Sequence, residues 1–347
     1  MKFQKEKVLN NYIVLARKDK IVYAAKGYQI YISENDGKNW ELDGKIKDIK
    51  YGTVANLNRL VARLLRAEIT SLIVLEDGTR IAVGKKAIFR AKVGEKIYRK
   101  TFSILRGTRP LNICVDGKGI LYFGEYLSNK KRDSVSIYRS SNNGEDWEIC
   151  YTFPANTIRH IHGIHYDKYE DKLWFTTGDL DGECIIGYSD NNFYDIKIFK
   201  QGGQLYRAVD LMFFKDFILY GTDTETAKNY ICKIDRTKKN IECLQKIQGS
   251  VLSAFSNGQY AVLSTAVEPS EVNKDLQAHV WFSHNGKDWI EIFQADKDSM
   301  SAHYFQFGRF KFPKFAIENN RIYLTGHALK DIDGSTLILK MNKGDKD

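Results

Sequence analysis

The chain has 347 residues, of which 13% are aromatic and only four are proline, and its formal net charge at neutral pH is +10. This composition excludes a disordered chain and favours strands, and the length suits a repeat architecture better than one small core. No apolar run of about 18 residues marks a membrane span.

The positive charge predicts an anionic partner. A nucleic acid, an acidic lipid surface and an acidic polysaccharide all fit, but the basic residues are spread along the chain without an aromatic-rich RNA-binding signature, so nucleic acid is not favoured. The segment Met1 to Lys7 has no apolar signal core, so we expect a cytoplasmic location. The oligomeric state is not indicated. The five cysteines form no C-x-x-C motif and are expected to be buried free thiols.

Apolar alternating segments recur along the chain as units of four strands, A to D. Strand B is predicted at Lys20 to Ala24, Thr79 to Val83, Gly119 to Phe123, Lys172 to Thr176, Phe217 to Tyr220, Tyr260 to Leu263 and Arg321 to Leu324. Strand A precedes each of them, at Tyr12 to Ala16, Ser71 to Leu75, Leu111 to Val115, His160 to Tyr166, Ala208 to Phe214, Val251 to Phe255 and Phe315 to Glu318. A spacing of roughly 40–60 residues is typical of propeller blades.

The predicted fold is therefore all-β: a seven-bladed β-propeller with four-stranded antiparallel blades, forming a single domain over residues 1–347. Six and eight blades are the alternatives. The seventh unit ends with its strand C, Thr336 to Met341, so Phe3 to Leu9 is expected to supply the missing strand D. Closure by the N-terminal strand removes the open edge of the sheet.

One segment has a helical rather than a strand pattern. Between Asn56 and Ala67, leucine and valine side chains recur at spacings of three and four, and Arg59, Arg63 and Arg66 fall together on the other side. This predicts a short amphipathic helix that packs on the propeller and keeps a solvated basic face. A membrane-surface or partner-docking helix is the alternative.

A turn pattern links the predicted strands C and D. The residues Ser33, Asn35, Gly37 and Trp40 recur as Ser140, Asn142, Gly144 and Trp147, and weaker copies follow at Ser189 and at Ser283. Gly supplies a positive φ, and Ser and Asn bond the backbone of the turn. The pattern resembles the Asp-box (BNR) repeat of the sialidase-like β-propellers, which implies that fold. In that family the box lies away from the active site.

Blade topology predicts where a site would form. Strand A starts on the face of the disc to which strand B returns, so the starts of A and the ends of B share one mouth. The starts of A supply Arg109, Arg159, His160, His162, Gln204, Tyr206, Arg207 and Arg309, and the ends of B supply Tyr126, Asp179, Asp223 and His327. This mouth is strongly polar.

The fourth unit has the richest chemistry. His160 and His162 alternate onto one side of a strand, His165 faces the other side, and Asp179 follows the next strand. Such a pair beside a carboxylate suits a divalent metal, a general base with its orienting partner, or a hydrogen-bonded channel lining. All three interpretations stay open. We expect His160, His162, Tyr206 and Asp179 to be catalytic, Tyr206 only if a neighbour lowers its pKa.

Arginines from separate blades are expected to converge on the mouth. Guanidinium groups match carboxylates bidentately, which suits a uronic or sialic acid. The expected substrate-binding residues are Arg109, Arg159, Gln204, Arg207, Asp223, Arg309 and His327.

The mixture of His, Tyr and Arg resembles that of the propeller-type polysaccharide lyases, in which Arg or a cation neutralises a uronic acid while His or Tyr moves the proton. No Tyr–Glu pair of the sialidase type can be assigned. We therefore expect an enzyme that acts on an anionic glycan by lyase or glycoside hydrolase chemistry. The alternative is a non-catalytic Asp-box propeller that binds glycans or proteins or serves assembly.

Overall fold

The computed structural model describes residues 1–47 and 58–342. Its strands form antiparallel units that follow one another along the chain. The first two units contain β2 (Ile13–Lys18), β3 (Ile21–Lys26), β4 (Gln29–Ser33) and β5 (Glu41–Ile46), and then β6 (Ser71–Val74), β7 (Arg80–Gly84), β8 (Ala87–Ala91) and β9 (Ile97–Ser103). The third and fourth contain β10 (Cys114–Val115), β11 (Leu121–Gly124), β12 (Val135–Ser140) and β13 (Glu148–Phe153), and then β14 (His160–Asp167), β15 (Lys172–Gly178), β16 (Ile185–Ser189) and β17 (Lys197–Gln201).

The remaining strands complete the pattern. The fifth and sixth units contain β18 (Ala208–Phe213), β19 (Phe217–Thr222), β20 (Asn229–Asp235) and β21 (Ile241–Ile247), and then β22 (Val251–Ser256), β23 (Ala261–Val267), β24 (Gln277–Ser283) and β25 (Trp289–Asp296). The last group contains β26 (Gly308–Lys311), β27 (Ile317–Glu318), β28 (Arg321–His327), β29 (Thr336–Asn342) and the N-terminal β1 (Lys2–Leu9). The helices are α1 (Arg59–Leu65) and α2 (Ala302–Phe305), and 3-10 turns lie at Asp181–Glu183 and Gln204–Tyr206.

The units are arranged side by side with their first strands innermost. The third, fourth and fifth units are separate four-stranded sheets, while the pairing of β5 with β9 and of β23 with β26 merges the others into an eight-stranded and a nine-stranded sheet. Strand β2 contacts both β6 and β28, so the first and last units are neighbours. Hydrophobic cores lie between successive sheets, as where Ile81 and Val83 pack with Leu121 and Phe123. This all-β arrangement is propeller-like.

The two ends of the chain pair with each other. Strand β1 runs antiparallel to β29, from Lys2 opposite Asn342 to Leu9 opposite Thr336. The prediction that residues 3 to 9 supply the last outer strand is confirmed. An ion pair between Arg321 and Glu6 adds to this closure.

The inner strand of the last group differs from its prediction. It is split into β26 and β27 by a segment that contains Pro313, which has no backbone N–H to donate. Strand β26 therefore begins earlier than the predicted Phe315 and places Arg309 and Lys311 next to the centre of the molecule. In the third unit only Cys114 and Val115 of the predicted inner strand form ladder pairs.

The predicted turns have the expected hydrogen bonds. Ser140 Oγ accepts from the Gly144 N–H at 3.0 Å, and Asn142 Oδ1 accepts from the Asp146 N–H at 3.0 Å. Equivalent bonds form in the turns that start at Ser33, Ser189 and Ser283. Because these turns join the third strand of a unit to its fourth, they fix the outer hairpins.

The predicted solvated basic face of the helix is wrong for Arg59 and Arg63, which form ion pairs inside the molecule, whereas Arg66 is exposed as predicted. Arg63 on α1 is 2% exposed, and its guanidinium contacts Asp298 at 2.5 Å and the Phe305 carbonyl oxygen at 2.7 Å. Leu60 and Leu64 are instead 44% and 49% exposed. The arginines face inward because Asp298 and Asp333 lie beneath this side of α1 and pair with them. The predicted helix start, residues 56 and 57, lies outside the described residues.

Candidate functional site

A central cavity of ≈ 1080 Å³ opens where the inner strands begin. Nine of the eleven predicted site residues line it: Arg109, Arg159, His160, His162, Asp179, Arg207, Asp223, Arg309 and His327. They come from four different units, so the predicted meeting of strand starts and strand ends at one mouth agrees with the structure.

Two predicted residues take other places. The Tyr206 side chain packs against the apolar cluster around Trp174 and Tyr220, between the fourth and fifth units, and it is not part of the cavity lining. Gln204 lies behind the wall, where its amide donates to the Asp179 carbonyl oxygen at 2.9 Å. Gln204 thus supports the loop that carries Asp179 rather than facing the cavity.

The two predicted histidines meet at one wall of the cavity. Nε2 of His160 and Nε2 of His162 are 3.1 Å apart, and they lie 3.3 and 3.2 Å from Oδ1 of Asp179. Both histidines are 3% exposed. A register shift in β14 between Ile161 and Gly163 accompanies this arrangement. His165 points to the other side, where Nε2 contacts the Val209 carbonyl oxygen at 3.0 Å.

The other ring nitrogens fix the histidine tautomers. Nδ1 of His160 lies 2.7 Å from the Leu127 carbonyl oxygen, and Nδ1 of His162 lies 2.9 Å from that of Ala208. A carbonyl oxygen only accepts, so each Nδ1 carries the ring proton and each Nε2 of a neutral ring presents a lone pair. Burial lowers the pKa of His160, which favours the neutral ring. His160, His162 and Asp179 are the described residues whose ligand atoms could hold a metal ion.

Asp179 is held ionised by its neighbours. Burial alone opposes ionisation, but contacts with His160 and His162 and the charge of Arg207 outweigh it and keep the pKa of Asp179 well below its usual range. Arg159 lies 2.7 Å from Oδ2, and Arg207 lies 3.2 Å from Oδ1. The carboxylate is therefore a fixed negative charge of this wall.

Carboxyl groups extend the same wall beyond Arg207. The Arg207 guanidinium lies 3.6 Å from Asp223 and 2.6 Å from Glu225. Burial raises the pKa of Asp223 to about 6. Burial and the charge of Asp223 raise the pKa of Glu268, which also lines the cavity, to about 7. This acidic wall therefore contains carboxyl groups that exchange protons near neutral pH.

A second part of the lining, the cationic wall, borders the acidic wall, because β23, which Glu268 follows, pairs with β26. Lys311 follows Arg309 on the same side of β26, Arg309 pairs across the sheet with His327, and Arg109 adds a second guanidinium. Arg109 contacts the Arg66 carbonyl oxygen at 3.3 Å. Within residues 1–47 and 58–342, the Arg309 guanidinium has no hydrogen bond or ion pair. It is a half-buried cation without a contacting counterion among the described residues, a state that favours binding of an anion.

The pKa values of Lys311 and His327 on this wall are lowered. Burial and the charges of Arg309 and Arg109 lower the pKa of Lys311 to about 7, while its ammonium donates to the Thr70 carbonyl oxygen at 2.6 Å. Burial lowers the pKa of His327 to about 3, so this ring is neutral. Its Nε2 is buried and has no hydrogen-bond partner among the described residues. The wall thus offers an amine that exchanges its proton near neutral pH, a neutral imidazole and, in Arg309, a guanidinium without a partner among the described residues.

Lys311, Glu225 and Glu268 were not among the predicted site residues. In the sequence Lys311 is one of many lysines between apolar residues, and only the early start of β26 brings it to the cavity. Glu268 follows directly after β23, the end of a strand B, so the rule that found Asp179 and Asp223 could also have found it.

The fold and this cavity define a propeller-type all-β protein with a polar centre that has one acidic and one cationic wall. Comparison with protein-family models and with curated proteins finds no match. Among solved structures the chain is similar to a catalytically inactive variant of virginiamycin B lyase from Staphylococcus aureus with quinupristin. The two are 14% identical, the match covers 98% of this chain and 99% of the lyase chain, and the TM-score is 0.63.

Two further structures are similar over nearly the whole chain. Oligogalacturonate lyase in complex with manganese matches at 9% identity over 96% of this chain and 88% of that chain, with a TM-score of 0.60. YCF48 bound to D1 peptide matches at 11% identity over 99% and 97%, with a TM-score of 0.58. At these identities the similarity shows the fold alone. Among the described residues, no helix is long and apolar enough to cross a membrane.

Proposed function

We propose that this chain is an enzyme that acts on an anionic glycan, containing uronic or sialic acid, by lyase or glycoside hydrolase chemistry in the central cavity. The observation that carries the proposal is the pairing of two walls in one cavity. One wall has in Arg309 a cation without a partner among the described residues, and the other has carboxyl groups that can exchange protons.

The cationic wall is suited to the carboxylate of a sugar acid. Arg309 has no partner among the described residues, and Arg109 has only a 3.3 Å contact to a carbonyl oxygen. A carboxylate placed between them would receive bidentate, charge-assisted hydrogen bonds in a site shielded from water. A neutral sugar would leave the guanidinium groups unpaired, so the cavity selects for charge.

The same two walls provide a base and an acid. Lys311, beside Arg309, is a base with a pKa of about 7, and Glu268 is an acid with a pKa of about 7. In a lyase reaction, Lys311 takes the proton next to the sugar carboxylate while Glu268 protonates the leaving oxygen. A carbon–carbon double bond forms as the carbon–oxygen bond breaks. These positions favour lyase over hydrolase chemistry, and Tyr206 has no part because it lies outside the cavity.

The similar structures support the proposal at the level of fold. Both virginiamycin B lyase and oligogalacturonate lyase share it over most of this chain. The grouping of the strands, with β26 to β29 and β1 as one unit, also supports our proposal of seven blades.

A binding or assembly role is the second candidate. YCF48, whose structure contains the D1 peptide, covers nearly the whole chain. A cavity with walls of opposite charge also suits a peptide that carries both charges. The two candidates differ in turnover: the binding role predicts that Lys311→Met keeps affinity, with no chemistry to lose.

The test is a screen of acidic oligosaccharides against the purified chain, with neutral oligosaccharides of equal length as controls. Ultraviolet absorbance reports an unsaturated lyase product, and new reducing ends without absorbance report hydrolysis. We expect Lys311→Met to abolish turnover and Arg309→Met to lower it strongly, whereas Arg99→Met, which removes an exposed arginine on β9, should not change it. Binding of an acidic oligosaccharide without any product would favour the binding role.

A further inference from the structure

We propose that His160, His162 and Asp179 bind one divalent transition-metal ion. This site rests on the proposed function only for its role in catalysis, since the geometry alone supports metal binding. The three ligand atoms, Nε2 of both histidines and Oδ1 of the aspartate, converge at 3.1 to 3.3 Å from one another.

The spacing of these atoms fits ligands around one ion. Ligands held at about 2.1 Å from a metal lie about 3.0 Å apart at neighbouring octahedral positions and about 3.4 Å apart in a tetrahedron. The observed distances of 3.1, 3.2 and 3.3 Å fall between these values. Two imidazole nitrogens and one carboxylate oxygen form a ligand set that suits Zn²⁺, Mn²⁺ or Co²⁺.

Hydrogen-bond accounting requires a cation among the three atoms. Each Nδ1 donates to a backbone carbonyl oxygen, that of Leu127 or of Ala208. Both Nε2 atoms therefore present lone pairs to each other and to a carboxylate that is ion-paired with two arginines. Lone pairs at 3.1 Å repel unless a proton or a metal ion lies between them. Backbone carbonyls that orient the rings through Nδ1 are the usual outer contacts of metal-bound histidines.

The charged groups around the three ligands include more carboxylates than arginines, which favours binding of a cation. Asp179, Asp223 and Glu225 face Arg159 and Arg207, so three negative groups meet two positive ones. Arg207 takes one lone pair of the Asp179 Oδ1 atom, and another remains for a metal. All three ligands line the cavity, so further positions on the ion would be open to water or to a glycan oxygen.

The test uses the full chain, treated with a chelator and then titrated with Mn²⁺, Zn²⁺ or Co²⁺ in a calorimeter without any glycan. We expect one ion per chain and a Co²⁺ absorption spectrum typical of nitrogen and oxygen ligands. Asp179→Asn and His162→Ala should weaken binding at least 100-fold. His165→Ala is the matched control, because it removes a buried histidine from the other side of the same strand.

Absence of saturable binding to the wild-type chain at millimolar metal overturns the site, and this result needs no variant to fold. Binding that survives both Asp179→Asn and His162→Ala overturns it as well. Because no glycan is present, the outcome is separate from the proposed function. A chain that binds metal here but turns over no acidic glycan keeps the metal site and refutes the enzyme.

The outer hairpin of the fifth unit carries an independent site. Cys232 on β20 and Cys243 on β21 are direct cross-strand partners with their Sγ atoms 3.8 Å apart. Opposed residues of antiparallel strands have Cα atoms about 4.5 to 5.5 Å apart, a range that a disulfide spans. Cys243 is exposed, contrary to the expectation of buried thiols, and Cys232 is buried. We propose that this pair is oxidised to an intramolecular disulfide by a low-molecular-weight disulfide.

The reaction takes two exchange steps. The Cys243 thiolate attacks a sulfur of the small disulfide and releases one thiolate, and Cys232 then attacks Cys243 Sγ and releases the second. The two protein thiols lose two protons and two electrons, and the small disulfide becomes two thiols. A hydrogen bond from Cys232 lowers the pKa of Cys243 to about 7, which favours the attacking thiolate.

Oxidised glutathione is the probe. Peptide mapping without reduction should find Cys232 joined to Cys243, with loss of two titratable thiols. Cys150→Ser should leave this result unchanged, because Cys150 lies on another outer strand, β13. Cys232→Ser should stop at a glutathione adduct on Cys243. A lasting adduct on the wild-type chain, or no reaction at all, refutes the proposal.

Discussion

Arg207 and Arg309 line the same cavity, but we expect their removal to have opposite consequences. Arg207→Met deletes the counterion of Asp179, Asp223 and Glu225. Breaking a buried ion pair typically costs about 3–5 kcal/mol. The pKa of Asp223 is already about 6, so this carboxyl can take up a proton at pH 7 at a cost of about 1.4 kcal/mol. Protonation therefore limits how much the unpaired Asp223 destabilises the variant. The free energy of unfolding should therefore fall by about 3 kcal/mol.

Arg309→Met removes a guanidinium that has no partner among the described residues and that repels Lys311. The free energy of unfolding should stay within about 0.5 kcal/mol or rise. If Arg309 binds the sugar carboxylate, its removal should cost about 2–4 kcal/mol of transition-state stabilisation. This corresponds to a fall in kcat/KM of roughly 30- to 1,000-fold.

Urea unfolding followed by tryptophan fluorescence, together with turnover of an acidic oligosaccharide, measures both effects. Arg99→Met, on the surface, is the control for loss of one positive charge. Equal destabilisation by Arg207→Met and Arg309→Met would refute the reasoning, since it would show that Arg309 has a structural partner. Unchanged turnover in Arg309→Met would refute its role in binding.

Three further outcomes test the site and the scaffold. kcat/KM should rise about tenfold per pH unit up to about pH 7, as Lys311, faced by Arg309, Arg109, Lys314 and Asp210, loses its proton, and it should fall above about pH 7, as the acid Glu268 loses its proton. A pH–rate profile checks for this bell shape. Glu268, near Asp223, Glu225 and Arg207, has a pKa raised to about 7, so the folded state binds a proton that the unfolded state has lost. The free energy of unfolding should therefore fall as pH rises from about 4.5 to 7. Glu268→Gln should flatten that slope in urea unfolding. Phe193→Ala should lower the free energy of unfolding by about 3–5 kcal/mol, because the ring is fully buried against Tyr122 and Phe175. Tyr194→Ala removes an exposed ring and is the control; a smaller loss in Phe193→Ala than in this control would contradict the prediction.

Local patterns were sufficient to predict the scaffold. Alternation of apolar residues located the B strands, and the Ser-x-Asn-x-Gly turns located the outer hairpins. The pairing of β1 with β29 followed from counting strands, because the last unit lacked a partner for its edge. The meeting of Arg109, Arg159, Arg207 and Arg309 at one cavity followed from topology alone.

Long-range electrostatics could not be predicted in the same way. The helix α1 has an apolar stripe that favours inward-facing leucines, yet Arg63 turns inward because Asp298 and Asp333 lie there. These carboxylates are more than 230 residues away along the chain, so no local window contains both partners. Lys311 is a similar case, since its place depends on a break at Pro313 and not on the alternation around it.

The turns and the cavity show how the chain separates folding from chemistry. In the fourth unit Phe193 replaces the turn glycine, with a φ of 63°, and fills the space between two sheets. The turn therefore tolerates a costly backbone conformation when the side chain contributes to packing, which is what a purely structural element would do. The site residues instead lie at or before the starts of inner strands and differ in type from unit to unit: Arg109, His160, Arg207 and Arg309. The repeated strands and turns thus build the scaffold, and the residues that differ between units form the two oppositely charged walls of the cavity.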